Sequence, residues 1–239
     1  MGAIPTNKVA FVTGANGISG YSIIEHLVPQ PKQQWSKIIV TSRRSLPNAW
    51  IDPRVEFVAV DFLDPVENII AKLKDICADT THAFFTSYVH NDDFKLLRDQ
   101  NVPLFRNFLD AVDTVCPKLQ RVCLQTGGKV PEPIFDKATG QASTLANEID
   151  MVEWAKDKRV VWEQIVKKYG GKVYAFDWGT WGFFNWATGK LWLTISSMSK
   201  AREFGWNRYD RTLDTWTETY RSFENAGVLP SRAALTKQD

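Results

Sequence analysis

Through its first half the chain alternates short runs of β-branched and aromatic residues with segments of helical periodicity. Lys8 to Val12 predicts a first strand, and apolar positions from Ile18 to Val28 predict a helix that stops at Pro29. Lys37 to Thr41 and Val55 to Val60 predict the next two strands, followed by a helix that begins near Pro65 and closes over Ala71 to Ala78. His82 to Ser87 reads as a fourth strand. A long helix over Leu104 to Val115 places Phe105, Phe108, Leu109 and Val112 on one face, and Leu119 to Leu124 predicts a fifth strand. Strands alternating with helices define an α/β chain with a doubly wound parallel sheet, whose ligand crevice lies at the carboxyl ends of the strands.

The second half has a different texture. Met151 to Tyr169 predicts one helix with Val152, Ala155, Trp162, Ile165, Val166 and Tyr169 along an apolar stripe, stopped by Gly170 and Gly171. Lys172 to Asp177 reads as a strand, and Val173 to Phe176 is expected to dock beside strand five as a substitute sixth strand. Thr212 to Glu224 predicts an amphipathic helix carrying Leu213, Trp216 and Tyr220, with Ser231 to Asp239 as a frayed end. With no repeat or low-complexity linker, the expected organisation is one domain. Residues 8–130 would form its nucleotide-binding part and 146–230 a helical cap on the substrate side.

Composition narrows the classes. The chain has 239 residues, 44% hydrophobic and 23% charged, which excludes collagen-like, disulfide-scaffold and disordered architectures. A net charge of +2 gives no reason to expect nucleic acid. Cys77, Cys116 and Cys123 lack metal-ligand spacing and read as small buried residues in a reducing compartment, while His26, His82 and His90 are scattered. No metal site is expected. No apolar run reaches the ~20 residues that span a bilayer, and no signal peptide is evident, so a cytoplasmic protein without membrane contact is expected. One bias stands out: eight of the ten Trp residues lie after residue 150. Trp178, Trp181, Phe183 and Phe184 head that cluster. They can fill a core, wall a pocket for an apolar small molecule, or form the contact of a homodimer.

The chemistry concentrates at the strand ends. Gly14, Gly17 and Gly20 lie in a strand-to-helix turn, where a backbone free of Cβ atoms can approach a pyrophosphate and the helix N-terminus offers free N–H groups. This is the signature of a Rossmann-like dinucleotide site. Strand two ends in Ser42-Arg43-Arg44, with no Asp or Glu to accept from a ribose 2′-hydroxyl. The two guanidiniums suit a 2′-phosphate, which favours NADP(H). Asp61 and Phe62, after strand three, lie where an adenine could be held.

Together these residues resemble a known family. The Gly14 to Gly20 turn, Ser42-Arg43-Arg44, Asp61-Phe62, Leu104 to Val112 and Leu124-Gln125-Thr126-Gly127-Gly128-Lys129 are similar to the progesterone 5-beta-reductase and iridoid synthase-like (PRISE-like) reductases. These are atypical short-chain dehydrogenases with many fungal relatives. Met198 to Trp206, Trp216 and Val228 to Pro230 resemble the family's tail. The resemblance implies NADPH contacts from Asn16, Gly17, Ile18, Ser42, Arg43, Arg44, Asp61, Phe62, Thr86, Ser87, Gln125 and Thr126. It also implies reduction of an activated C=C bond or carbonyl in a terpenoid-like or steroid-like molecule, with a Lys that matches Lys129 acting beside a Tyr.

That Tyr has no counterpart. Family members are longer, and the block that would fall between about Ala146 and Met151 is the one that supplies it. None of Tyr21, Tyr88, Tyr169, Tyr174, Tyr209 and Tyr220 has a Lys four residues on, so the usual Tyr–Lys proton relay is not encoded. Lys129 is the first catalytic candidate, able to orient the nicotinamide ribose or face a developing enolate oxygen. Tyr88 and Tyr174 are the candidate proton donors, with His90 and Asp92 near Tyr88. Three classes stay open: an NADPH-dependent reductase of specialised metabolism with an altered acid, a non-redox cyclase or isomerase, and a non-catalytic binding protein.

Overall fold

The computed structural model describes residues 6–45, 50–91, 94–126, 147–189, 198–203 and 205–236. The chain divides into two compact units, residues 1–129 and 130–239. In the first, strands β1 (Lys8–Thr13), β2 (Trp35–Ser42), β3 (Val55–Ala59), β4 (His82–Phe85) and β5 (Arg121–Leu124) form a parallel sheet in the order β3-β2-β1-β4-β5. Helices α1 (Ile18–Leu27), α2 (Val66–Leu73) and α3 (Phe94–Val115) make the β1–β2, β3–β4 and β4–β5 crossovers. The doubly wound α/β fold read from the alternating pattern is the fold observed.

Side-chain alternation in β1 explains the two cores. Val9 and Phe11 point into a cluster with Ile39, Phe62, Phe85, Phe108 and Val112, under α2 and α3. Ala10 and Val12 point the other way, against Ile24 and Leu27 of α1 with Trp35, Ile38 and Val40. β1 is therefore apolar on both faces, as a central parallel strand must be. β5 is the exception: all four of its residues are exposed, Cys123 among them. The expectation of three buried cysteines thus holds only for Cys77 and Cys116.

At the amino-terminal end of the sheet, one buried guanidinium joins three segments. Arg54 donates to the backbone carbonyls of Val28, Gln30 and Trp35 and pairs with the Asp52 carboxylate at 2.9 Å. The α1 exit, the start of β2 and the approach to β3 are held by this one side chain.

Three elements differ from the sequence pattern. α3 runs through Pro103 and begins ten residues earlier than Leu104. Proline lacks an N–H donor and reads as a helix breaker, but Asn101 before it is bonded to Val89 and Phe108 and Val112 after it are packed in the core.

The other two differences lie in the second unit. Val173–Trp178 is a 3-10 helix rather than a strand, so no substitute sixth strand forms from these residues. The indole N–H of Trp162 donates to the carbonyls of Lys172 and Val173, and the Ala175 amide bonds the Lys172 carbonyl at 3.1 Å. Tyr174 and Trp178, four residues apart, then pack with ring centroids 5.1 Å apart, which an extended strand would forbid.

The other elements among the described residues of this unit are helices: α4 (Met151–Ala155), α5 (Lys158–Tyr169), α6 (Trp181–Gly189), α7 (Ser199–Glu203), α8 (Thr212–Asn225) and α9 (Arg232–Thr236). The single helix expected over 151–169 is broken into α4 and α5. Asp150 caps α4 through the amides of Val152 and Glu153 and also accepts from Asn185 on α6, which holds its carboxyl below the usual range.

Candidate functional site

The site is built on the seam between β1 and β4. Thr13, fully buried, accepts at its hydroxyl from the Thr86 amide at 3.1 Å and the Ser87 amide at 3.2 Å. The Thr86 hydroxyl returns a bond to the Thr13 carbonyl. These bonds continue the β1–β4 pairing one step past the strand ends and form the floor of the crevice.

Over that floor the chain turns at Gly14, with φ +64°. A Cβ at Gly14 would lie 2.9 Å from the Thr86 carbonyl oxygen, and one at Gly20 would lie 2.2 Å from the Gly14 carbonyl oxygen. The turn is therefore packed backbone to backbone, and only hydrogen fits at either position. Asn16, Gly17 and Ile18 are exposed above it, Ile18 at 89%. Gly17 is the N-cap of α1, so the first helical amides point outward without a side-chain acceptor.

β2 contributes the next element. Ser42 is buried, and its hydroxyl donates to the Arg44 carbonyl, curling the chain so that Arg43 and Arg44 stand exposed at the end of the strand. After β3, the Asp61 carboxylate accepts from the Leu63 amide at 3.0 Å. Phe62 is placed differently from the other candidates. Its ring is 3% exposed and packs edge-on against Phe85 and Phe108, so what it can offer a ligand at this position is its backbone.

Beyond β4 and β5 lies a cavity of about 440 Å³, lined among others by Phe85, Tyr88, Phe105, Leu109 and Leu124, with Arg106 and Gln125 supplying polar groups. Tyr88 is 58% exposed. The sequence pattern puts Phe105 and Leu109 on one face with Phe108 and Val112, but Phe108 and Val112 are buried in the core while Phe105 and Leu109 join Val102 in lining this cavity, a role the sequence pattern does not assign them.

The candidates thus separate. Gly14, Asn16, Gly17, Ile18, Ser42, Arg43, Arg44, Asp61, Thr86, Ser87, Gln125 and Thr126 all lie at or after carboxyl ends of strands in the first unit, with Tyr88 just beyond. Tyr174, Trp178, Trp181, Phe183 and Phe184 belong to the second. Lys129 and Asp92 lie outside the described residues. Among the described residues no cluster of His, Cys, Asp and Glu could hold a metal ion, and no helix is long and apolar enough to cross a membrane.

A parallel sheet with a close-packed glycine turn, an open helix N-terminus and a basic second strand end defines a Rossmann-type dinucleotide-binding domain. The chain belongs to the PRISE-like Rossmann-fold family, whose model matches residues 10–132.

It is 46% identical over 123 residues to the short chain dehydrogenase gsfE of Penicillium aethiopicum, covering 51% of this chain and 33% of that protein. It is 33% identical over 171 residues to (S)-8-oxocitronellyl enol synthase ISY1 of Nepeta cataria, covering 68% and 43%. It is 32% identical over 124 residues to the 3-oxo-Delta(4,5)-steroid 5-beta-reductase of Arabidopsis thaliana, covering 51% and 31%. The chain spans about a third of the length of the first curated relatives it matches. Among solved structures it is similar to a mutated uronate dehydrogenase at 16% identity and a TM-score of 0.47, covering 90% of this chain and 86% of that one.

Proposed function

We propose that this chain binds NADP(H) and serves as a cytoplasmic reductase of an activated C=C bond or carbonyl in an apolar small molecule of the terpenoid or polyketide kind. The observation that carries the reading is the glycine turn, where a Cβ at Gly14 or Gly20 would strike backbone, set beside exposed Arg43 and Arg44. Such a cradle suits a pyrophosphate, and the two guanidiniums suit a 2′-phosphate. Solved short-chain dehydrogenases and reductases of similar fold are described as bound to NADP, NAD+ or NADPH.

When bound, the cofactor supplies hydride. The chain's own residues orient it: the α1 amides face the phosphates, Arg43 and Arg44 the 2′-phosphate, Asp61 the adenosine, and Ser87 and Gln125 the nicotinamide side. Tyr88, at the cavity wall, is assigned as the proton donor in place of the family's Tyr, with Lys129 as its charged partner by motif. Tyr174 is the second choice. Trp178, Phe183 and Phe184 stay more than a third exposed, which supports a role as an apolar substrate wall or as the contact with a second copy.

Calorimetry with NADPH and NADH tests the reading. Arg43→Glu is expected to weaken NADPH binding by at least about tenfold and NADH by less than about twofold, since only the 2′-phosphate meets the reversed charge. Equal losses for both cofactors would defeat the assignment. Intact protein that binds neither would remove the reductase altogether. A polyene or dione isomerised without NADPH would favour a non-redox descendant of the family.

A further inference from the structure

Two side-chain amides on one helix reach the loops on either side of the crevice. Asn101, half-buried, accepts from the Val89 amide at 2.9 Å and donates to the Val89 carbonyl at 2.9 Å and the Leu97 carbonyl at 3.0 Å. Asn107, also half-buried, donates to the carbonyls of Phe62 at 2.9 Å and Asp64 at 3.3 Å. The first tie holds the loop that carries Ser87 and Tyr88. The second holds the loop that begins at Asp61.

We infer that Asn101 and Asn107 are positioning residues that make α3 a common gauge for both halves of the ligand crevice. The Asn101 bonds to Val89 are a pair of N–H···O contacts of the kind one strand gives another. They come from a side chain because β4 ends at Phe85 and the next residues have no strand partner. Asn107 ties the β3–α2 loop by donation alone, to the Phe62 and Asp64 carbonyls on either side of Leu63, whose amide the Asp61 carboxylate accepts.

The sheet order places these loops on opposite sides of β1. A dinucleotide with its pyrophosphate on the β1–α1 turn lays its adenosine toward β2 and β3, and its other half toward β4 and β5. Asn107 therefore governs the adenosine half, and Asn101 the half where chemistry takes place. A helix of 22 residues sets the spacing between them.

This inference rests on the proposed cofactor reading, and two ligands separate the two. Adenosine 2′,5′-bisphosphate occupies only the adenosine side, whereas NADPH fills both. Asn101→Ala is expected to weaken NADPH about tenfold and leave the bisphosphate within about twofold, while Asn107→Ala weakens both by about tenfold. A general loss of stability would not sort by ligand in this way. Equal effects of the two variants on both ligands, or no effect of either, would overturn the inference.

If an alanine variant fails to fold, Asn101→Asp and Asn107→Asp keep the volume and remove the donors, and the same split is expected. Should the wild-type chain bind neither ligand, the cofactor reading falls, and amide hydrogen exchange judges the clamps alone. Faster exchange at Val89 in the Asn101 variant and at residues 62–64 in the Asn107 variant would uphold them. Unchanged exchange would overturn them.

Discussion

Gly20→Ala is expected to abolish measurable NADPH binding and to cost about 2–3 kcal/mol of stability, the upper end of what an overpacked methyl imposes. Its Cβ would sit 2.2 Å from the Gly14 carbonyl oxygen, 2.7 Å from the Gly14 carbonyl carbon and 3.0 Å from the Ala15 Cα. All three are backbone atoms, so no rotamer change relieves the overlap. The helix must move away from the turn, and the amides that face the phosphates move with it. Gly17→Ala is expected to cost less stability than Gly20→Ala, since its Cβ would meet one atom, at 3.2 Å. Urea denaturation read beside calorimetry checks both effects. Wild-type affinity in Gly20→Ala would show that the turn does not form the phosphate cradle.

Arg54→Met is expected to destabilise the fold by about 3–5 kcal/mol, as removal of one partner from a buried ion pair does. The Arg54 side chain is only 7% exposed. Its loss strands the Asp52 carboxylate and leaves three backbone carbonyls without that donor. Hydrogen bonds from Arg54 hold the Asp52 carboxyl down from its ordinary 3.8 to about 2. A depressed carboxyl pKa contributes stability above the unfolded value and loses it as pH falls through the folded one. Stability should therefore decline between about pH 4 and pH 2 in the wild-type chain. Asp52→Asn should flatten that part of the curve in acid denaturation followed by circular dichroism. NADPH affinity at pH 7 should survive in Asp52→Asn, because this cluster lies at the opposite end of the sheet from the crevice.

The inner strands β1, β2 and β4 were legible in the sequence because they are apolar runs bounded by turn residues, whereas the edge strands β3 and β5 have no buried residue. The glycine turn was legible for the same kind of reason: steric exclusion of Cβ atoms leaves a mark in residue type. Phe62 shows the limit. Its place in the motif fixes the backbone near a ligand, but only packing against Phe85 and Phe108 decides that the ring turns inward. Val173 to Trp178 failed for a related reason, since six residues of mixed β-branched and aromatic character carry no periodicity strong enough to separate strand from helix. The indole of Trp162, ten residues upstream of Lys172, settled it. Asn101 was invisible because a polar residue on an amphipathic helix normally faces water, and nothing local shows that its amide completes a loop.

The Thr13 hydroxyl has a bearing on how the protein moves. By accepting from two successive amides of the chain leaving β4, it removes the slack that would let β1 and β4 part. Opening the seam would break both of these bonds and the returning Thr86 bond together. Adjustment to an incoming ligand must then come from the rim. Side chains on the exposed β5 can shift, while the floor and the two loops held by Asn101 and Asn107 stay fixed. A crevice of this kind would admit ligands of varied shape on one side and hold a constant geometry on the other.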